Sequence, residues 1–283
     1  MTYDKEWREH VAHGKHVDVN GIRTFCVDIG RGSPVLLIHG WGSSSFTWRK
    51  NYSSLAEGFR VIAVDLPGFG LSERLREGCR LPWVTEHLLK LAEVLGLGSL
   101  SVVGLSMGGV IASHLAATHP ERVRELVLVN PSLRLRQIGR RPPSGRLIRS
   151  GPVAALLAAV LVNRYFVRRA LRNAVWFKEV VDEEMVTGYY MSVKESGRTL
   201  LEAFDIIAGF DLKTLETLKV PTLFILGERD RLVPAEANAE LAGRMGSAVR
   251  TIPDAGHLVH EERPEMFNSV LKEYLSGRGV IPR

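Results

Sequence analysis

Two hydrophobic periods alternate along the chain. The segment "HVDVNGIRTFCVDIG" reads as a pair of strands folding back at Asn20-Gly21, the commonest dipeptide of a two-residue hairpin. "PVLLIHG" is instead a continuous apolar run closed by glycine, which suits a strand buried on both faces of a parallel sheet. Strand-like and helix-like runs then take turns: "FRVIAVDLPG", "WVTEHLLKLAEVLG", "LSVVGLS", "VIASHLAATHP" and "RELVLVNP". Alternation of this kind predicts a mostly parallel sheet with helices on both faces.

The alternation breaks after Pro131 and resumes only at "VPTLFILGERD". Between them lie an arginine-rich stretch, an apolar helix and mixed helical sequence, so the pattern predicts an insertion into the sheet domain. The chain ends with a strand and loop, "AVRTIPDAGH", and a helix, "PEMFNSVLKEYLSG", in which Pro264 suits the first helical position.

Composition changes this picture in one place. The 283 residues carry 37 Lys and Arg against 31 Asp and Glu, a net charge of +6. Ten of the arginines lie between Ser132 and Arg172, a stretch with no acidic residue, so the remainder of the chain stands at −4. The basic character belongs to the insertion, and without interleaved stacking aromatics it does not suggest nucleic-acid binding. Cys26 and Cys79 are too far apart for a zinc motif, no disulfide framework is expected, and no metal or cofactor is called for. The charged N-terminus lacks the apolar core of a secretory signal, and the longest apolar stretch, Val153 to Val162, is too short to span a bilayer. A cytoplasmic protein is the expectation.

Candidate chemistry centres on "GLSMGG", residues 104–109, at a predicted strand-to-helix joint. A serine hydroxyl becomes a useful nucleophile only when it is exposed and a base removes its proton. Gly104 and Gly108, two residues either side of Ser106, provide the room a sharp turn requires, and the following helix aims N–H groups at developing negative charge. The competing reading is a glycine-rich turn in which Ser106 merely caps a helix. Partners are expected later in the order acid, then histidine. Asp230 follows the strand "LFILG", and His257 follows the next strand in "TIPDAGH". Glu228 and Asp254 compete with Asp230 for the acid's place. The oxyanion donors are expected to be the N–H of Met107 and, from the loop "HGWGSSS", that of Trp41, with Gly42 as the alternative. His39 is expected to shape that loop, and His260 to be a surface or packing residue. His87, His114 and His119, alone in helix-like segments, are expected to be surface or satisfied core residues, and Phe46 and Trp48 to be core.

With these parts in view the sequence resembles the α/β-hydrolase fold superfamily over nearly its whole length. "HGWG" at 39–42, "DLPGFGLS" at 65–72, "GLSMGG", "GERDRLVP" at 227–234 and "GHLVHEERPE" at 256–265 match that pattern in order. The resemblance implies an eight-stranded-type, mostly parallel sheet with a helical lid inserted after strand six. The core then spans residues 1–131 and 211–283, and the lid 132–210. It also implies that Asp65 fixes a turn rather than reacting. Serine at the nucleophile position departs from epoxide hydrolases and haloalkane dehalogenases, which carry aspartate there, and from dienelactone-type members, which carry cysteine. "HGWGSSS" departs from the "HGxGPG" loop frequent in carbon–carbon bond hydrolases of diketones, which counts against that branch without excluding it. The expected activity is serine hydrolysis of a carboxylic ester or related acyl compound. Carbon–carbon hydrolysis or cofactor-free perhydrolysis by the same residues, and a non-catalytic ligand receptor, are the alternatives.

The insertion carries the expected specificity. Arg164, Arg168 and Arg172 recur every four residues on one helix face beside the apolar "GPVAALLAAVLV". Three readings are open: a buried lid helix with a solvated charged extension, an interfacial lid meeting anionic head groups, or a site for an anionic substrate. The expected partner is a small, apolar acyl or ester compound, and the second reading adds peripheral contact between the basic lid and an anionic membrane surface.

Overall fold

The computed structural model describes residues 4–74, 80–133, 162–197 and 199–277. Eight strands form one sheet: β1 (Gly14–Val19), β2 (Ile22–Ile29), β3 (Ser33–Ile38), β4 (Phe59–Val64), β5 (Leu100–Leu105), β6 (Val123–Val129), β7 (Thr222–Gly227) and β8 (Ala248–Ile252). Their spatial order is β1-β2-β4-β3-β5-β6-β7-β8. The β1–β2 hairpin turns at Asn20 and Gly21, both at positive φ as that turn requires, and β2 lies antiparallel to β4. From β4 to β8 all pairings are parallel.

Both faces of the sheet are covered, which is why the strands read as unbroken apolar runs. Leu36, Ile38, Ile62 and Val64 point into one core, while their neighbours Val35, Leu37, Val61 and Ala63 point into the other. Helices α2 (Leu81–Val94) and α3 (Met107–Thr118) seal the first core; α1 (Lys5–His13) brings Trp7 to the second. The N-terminal helix was not expected from the sequence. It is polar apart from Trp7, Val11 and Ala12, and its buried face is fixed by Phe46, Phe25 and Tyr52, which pack around Trp7 and His10.

Between β6 and β7 the chain leaves the sheet in a helical excursion. Its described part contains α4 (Arg164–Ala174) and α5 (Glu183–Lys194), followed by short helical turns. After β7 come α6 (Ala235–Arg244), β8, the short helix Val259–Glu262 and α7 (Pro264–Leu275), the last with proline in its first turn as expected. The chain passes from β3 to β4 on one side and returns to β5 on the other, so β3 and β5 diverge at a topological switch point. A crevice at the carboxyl ends of such strands is where α/β sheets hold ligands.

Candidate active site

Ser106 sits at this switch point with φ 53° and ψ −112°, a backbone conformation that residues with a side chain rarely adopt. Such strain costs of order 1–3 kcal/mol and persists only where the surroundings enforce it. The enforcement is steric. A Cβ on Gly104 would come within 2.3 Å of the Gly108 carbonyl oxygen, and one on Gly108 within 2.3 Å of the Ile38 oxygen. The two glycines let β5, α3 and the end of β3 meet at backbone contact. Gly40 completes the corner, its would-be Cβ lying 3.2 Å from that of Ser106.

Ser106 precedes α3 but its side chain makes no capping hydrogen bond to the helix. Its hydroxyl instead lies 2.9 Å from that of Ser132, which is buried just past β6. The helix-cap reading therefore does not hold.

His257 and Asp230 meet across the ends of β7 and β8. His257 Nδ1 is 2.7 Å from Asp230 Oδ2, and both side chains are almost fully buried. The other carboxylate oxygen of Asp230 accepts the Leu232 and Val233 N–H groups at 2.8 and 2.9 Å, which fixes its orientation. The competitors are engaged elsewhere: Glu228 pairs with Arg229 and accepts the Asp254 N–H, and Asp254 occupies a positive-φ turn. Ser106 and His257 line one cavity of about 370 Å³, together with Trp41 and Gly42. Val167, Leu171 and Leu200, from the excursion, give that cavity an apolar wall.

His39 is buried, with Nδ1 2.8 Å from the Gly40 oxygen and Nε2 accepting the Leu66 N–H at 3.0 Å. Burial lowers its pKa to about 4, so it is a neutral strut that shapes the loop at Trp41. Trp41 is itself anchored, its indole N–H donating to Leu200 O at 2.6 Å and its ring stacking on Phe204. Asp65 binds the Ser45 N–H and hydroxyl and the Leu71 N–H, holding the turn after β4 as the resemblance implied. Burial raises its pKa to about 6.

His260 is fully buried rather than on the surface, packed on Trp48 with Nε2 2.7 Å from Thr47 Oγ1. Phe46 and Trp48 are core residues, as expected. His87 and His114 are satisfied by Thr24 and Thr85, and His119 lies near Glu86. Cys26 is buried and its thiol pKa is pushed up to about 12, so it is chemically quiet; Cys79 lies outside the described residues.

Two residues beside the site were not among those expected. Asn130, fully buried at φ 40° past β6, donates to Gly256 O and His257 O at 3.2 and 2.9 Å and accepts the Gly227 N–H at 2.9 Å. It ties β6, the end of β7 and the His257 loop together. Ser132 is the other. Both stand in "VNPS", and an Asn-Pro pair ending an apolar strand is a turn signal that could have marked the place.

The basic insertion is only partly described, and most of "GPVAALLAAVLV" lies outside the described residues. In α4, Arg164 and Arg168 both pair with Glu183 of α5, and Arg164 also donates to Thr187. Two of the three arginines of the stripe thus serve helix pairing. No described helix is long and apolar enough to cross a membrane.

A strained serine at a strand-to-helix corner, sharing a cavity with a histidine bound to a buried aspartate on an eight-stranded, mostly parallel sheet, defines the class of this protein as a hydrolase. The chain belongs to the α/β-hydrolase fold family, whose model matches residues 33–264. Among curated proteins it is 31% identical to the uncharacterized hydrolase YugF of Bacillus subtilis, covering 85% of this chain and 89% of that one. It is also 31% identical to a 2-hydroxymuconate semialdehyde hydrolase of Pseudomonas putida, over 93% and 94% of the two chains. Among solved structures, a thermophilic esterase from Thermogutta terrifontis superposes with a TM-score of 0.76 at 26% identity, over 93% of this chain and 98% of that one.

Proposed function

We propose that the protein is a serine hydrolase of carboxylic esters or related acyl compounds. Ser106 attacks the carbonyl, and His257 takes its proton and later returns it to the leaving group. Asp230 holds the imidazole so that Nδ1 carries a proton and Nε2 is free to act as base, and it stabilises the cation that forms. The N–H groups of Trp41 and Met107 receive the oxyanion. An acyl-enzyme forms and water hydrolyses it. Residues 132–210 serve as the lid, whose apolar wall over Ser106 favours a small apolar acyl group and excludes bulk water.

The observation that carries this reading is Ser106 itself. A residue held at a backbone cost, with a hydroxyl not used to cap its helix, supports a role in chemistry over one in structure. The test is Ser106→Ala on p-nitrophenyl esters of increasing chain length. A fall in kcat of about 10⁴-fold or more is expected, together with loss of fluorophosphonate labelling; near wild-type turnover in the variant would sink the assignment. An inert wild-type protein would favour the receptor alternative.

A second reading, hydrolysis of a carbon–carbon bond by the same residues, is favoured by the likeness to the 2-hydroxymuconate semialdehyde hydrolase. Including a vinylogous diketone in the substrate panel separates the two by kcat/KM. The protein is placed in the cytoplasm by this reading, with its basic excursion meeting an anionic membrane surface, and co-sedimentation with anionic vesicles at low salt tests that contact.

A further inference from the structure

The short stretch 174–177, joining α4 to α5, lies against both loops that carry Asp230 and His257. We propose that it is a clasp that positions this acid and base, with Trp176 and Glu262 as its positioning residues; the proposal rests on reading Ser106, His257 and Asp230 as a triad.

On the base side there are four hydrogen bonds, one between main-chain groups and three from main-chain N–H groups to the Glu262 carboxylate. The His257 N–H donates to Ala174 O at 2.7 Å. Glu262, at the end of the short helix that follows His257, accepts the Gly256 N–H on Oε1 at 2.8 Å. Its Oε2 accepts the Trp176 and Phe177 N–H groups at 2.7 and 3.0 Å. One buried carboxylate thus binds the residue before the base and two residues of the clasp. Burial pushes its pKa up, while the same three N–H groups pull it back toward the charged form that makes these bonds strong. Gly256 is fitted to the arrangement, since a Cβ there would stand 2.7 Å from both Ala174 O and Trp176 N.

On the acid side the contact is through the Trp176 ring. The guanidinium groups of Arg229 and Arg231, the two neighbours of Asp230, lie 5.5 and 4.8 Å from its centroid. Cation–π attraction therefore grips the acid loop on both sides of the carboxylate. Arg263 closes over Phe177 at 4.3 Å, so the clasp is also held from the α7 end. Val175, between these contacts, is buried and anchors the stretch in the core.

The geometry of the acid–base pair consequently depends on a piece of the excursion that walls the cavity. Small misplacement of a catalytic group costs rate more than affinity, and about a tenfold loss is the scale for a shift well under 1 Å.

The experiment uses the full chain as Trp176→Ala, Trp176→Phe and Glu262→Gln, with thermal melts to confirm folding. Ester kinetics and amide hydrogen exchange at Gly256 and His257 are the readouts. Trp176→Ala is expected to lower kcat about tenfold with KM within about twofold, and Trp176→Phe, which keeps an aromatic face for the arginines, to restore most of it. Glu262→Gln, left with one accepting oxygen, is expected to speed exchange at Gly256 and His257. Folded Trp176→Ala with wild-type kcat, or Glu262→Gln with unchanged exchange, overturns the clasp. If the wild type cleaves no ester and takes no fluorophosphonate, the triad reading falls, and the exchange measurement still decides whether the clasp holds the His257 loop.

Discussion

Single residues at the nucleophile corner are governed by backbone contact rather than by side-chain chemistry. Gly104 and Gly108 face each other where β5 turns into α3, and each excludes a methyl group because the atoms it would strike belong to the main chain. Gly104→Ala is therefore expected to cost about 3 kcal/mol, at the upper end for overpacking, in urea denaturation. Gly98→Ala, with open space around the position, should stay within about 0.5 kcal/mol of wild type. Equal effects at the two sites would refute the steric account. The glycines flanking Ser106 were legible in the sequence because their spacing is local. Ser132 was not: its neighbour Ser106 is 26 residues away, and only the parallel pairing of β5 with β6 brings the two hydroxyls to 2.9 Å.

At the level of elements, strand ends are bound to one another by side chains that reach across the sheet's edge. Asn130 joins β6 to the ends of β7 and β8 with three hydrogen bonds, none exposed to water. Asn130→Ala leaves two carbonyls and an N–H without that partner and is expected to destabilise by about 1–3 kcal/mol. It should also lower ester turnover, because the His257 carbonyl is one of the groups released. A variant as stable and as active as wild type would show that the His257 loop is held without it. Strands and the later helices were readable because both buried faces of a parallel sheet demand apolar runs. Helix α1 was not, since its one fully buried apolar residue, Trp7, makes sense only beside Phe46, distant in sequence. The place of Asp230 was readable for a similar reason as Ser106: acid and base follow successive strands, and parallel strands send their loops to the same edge.

For the whole molecule, buried imidazoles set the pH response. Burial lowers the pKa of His10 to about 3 and of His39 and His87 to about 4, from an ordinary 6.5. Unfolded chains take up protons at these residues below pH 6.5 while the folded chain does not, so stability is full above that pH and is lost as pH falls toward 4. Each contributes up to about 1.4 kcal/mol per pH unit. Asp65 acts in the opposite sense: its raised pKa, about 6, gives stability that is present below about 4 and lost as pH rises through 6. His114 and His260 are lowered by burial as well, and these histidines outweigh the raised carboxylates Asp65 and Glu262, so Tm is expected to fall between pH 7 and pH 5, and a flat or rising Tm in calorimetry would contradict this balance.

The two roots of the excursion leave from and return to adjacent strands, β6 and β7, which pair along Leu126–Val129 and Thr222–Ile225. An excursion with adjoining roots can be exchanged during evolution without rewiring the sheet, which invites new pockets. Here the freedom is restricted, because Ala174 and Trp176 reach from the exchangeable part to Gly256, His257 and the loop around Asp230. A transplanted excursion would have to arrive with its own fastening or inherit this one.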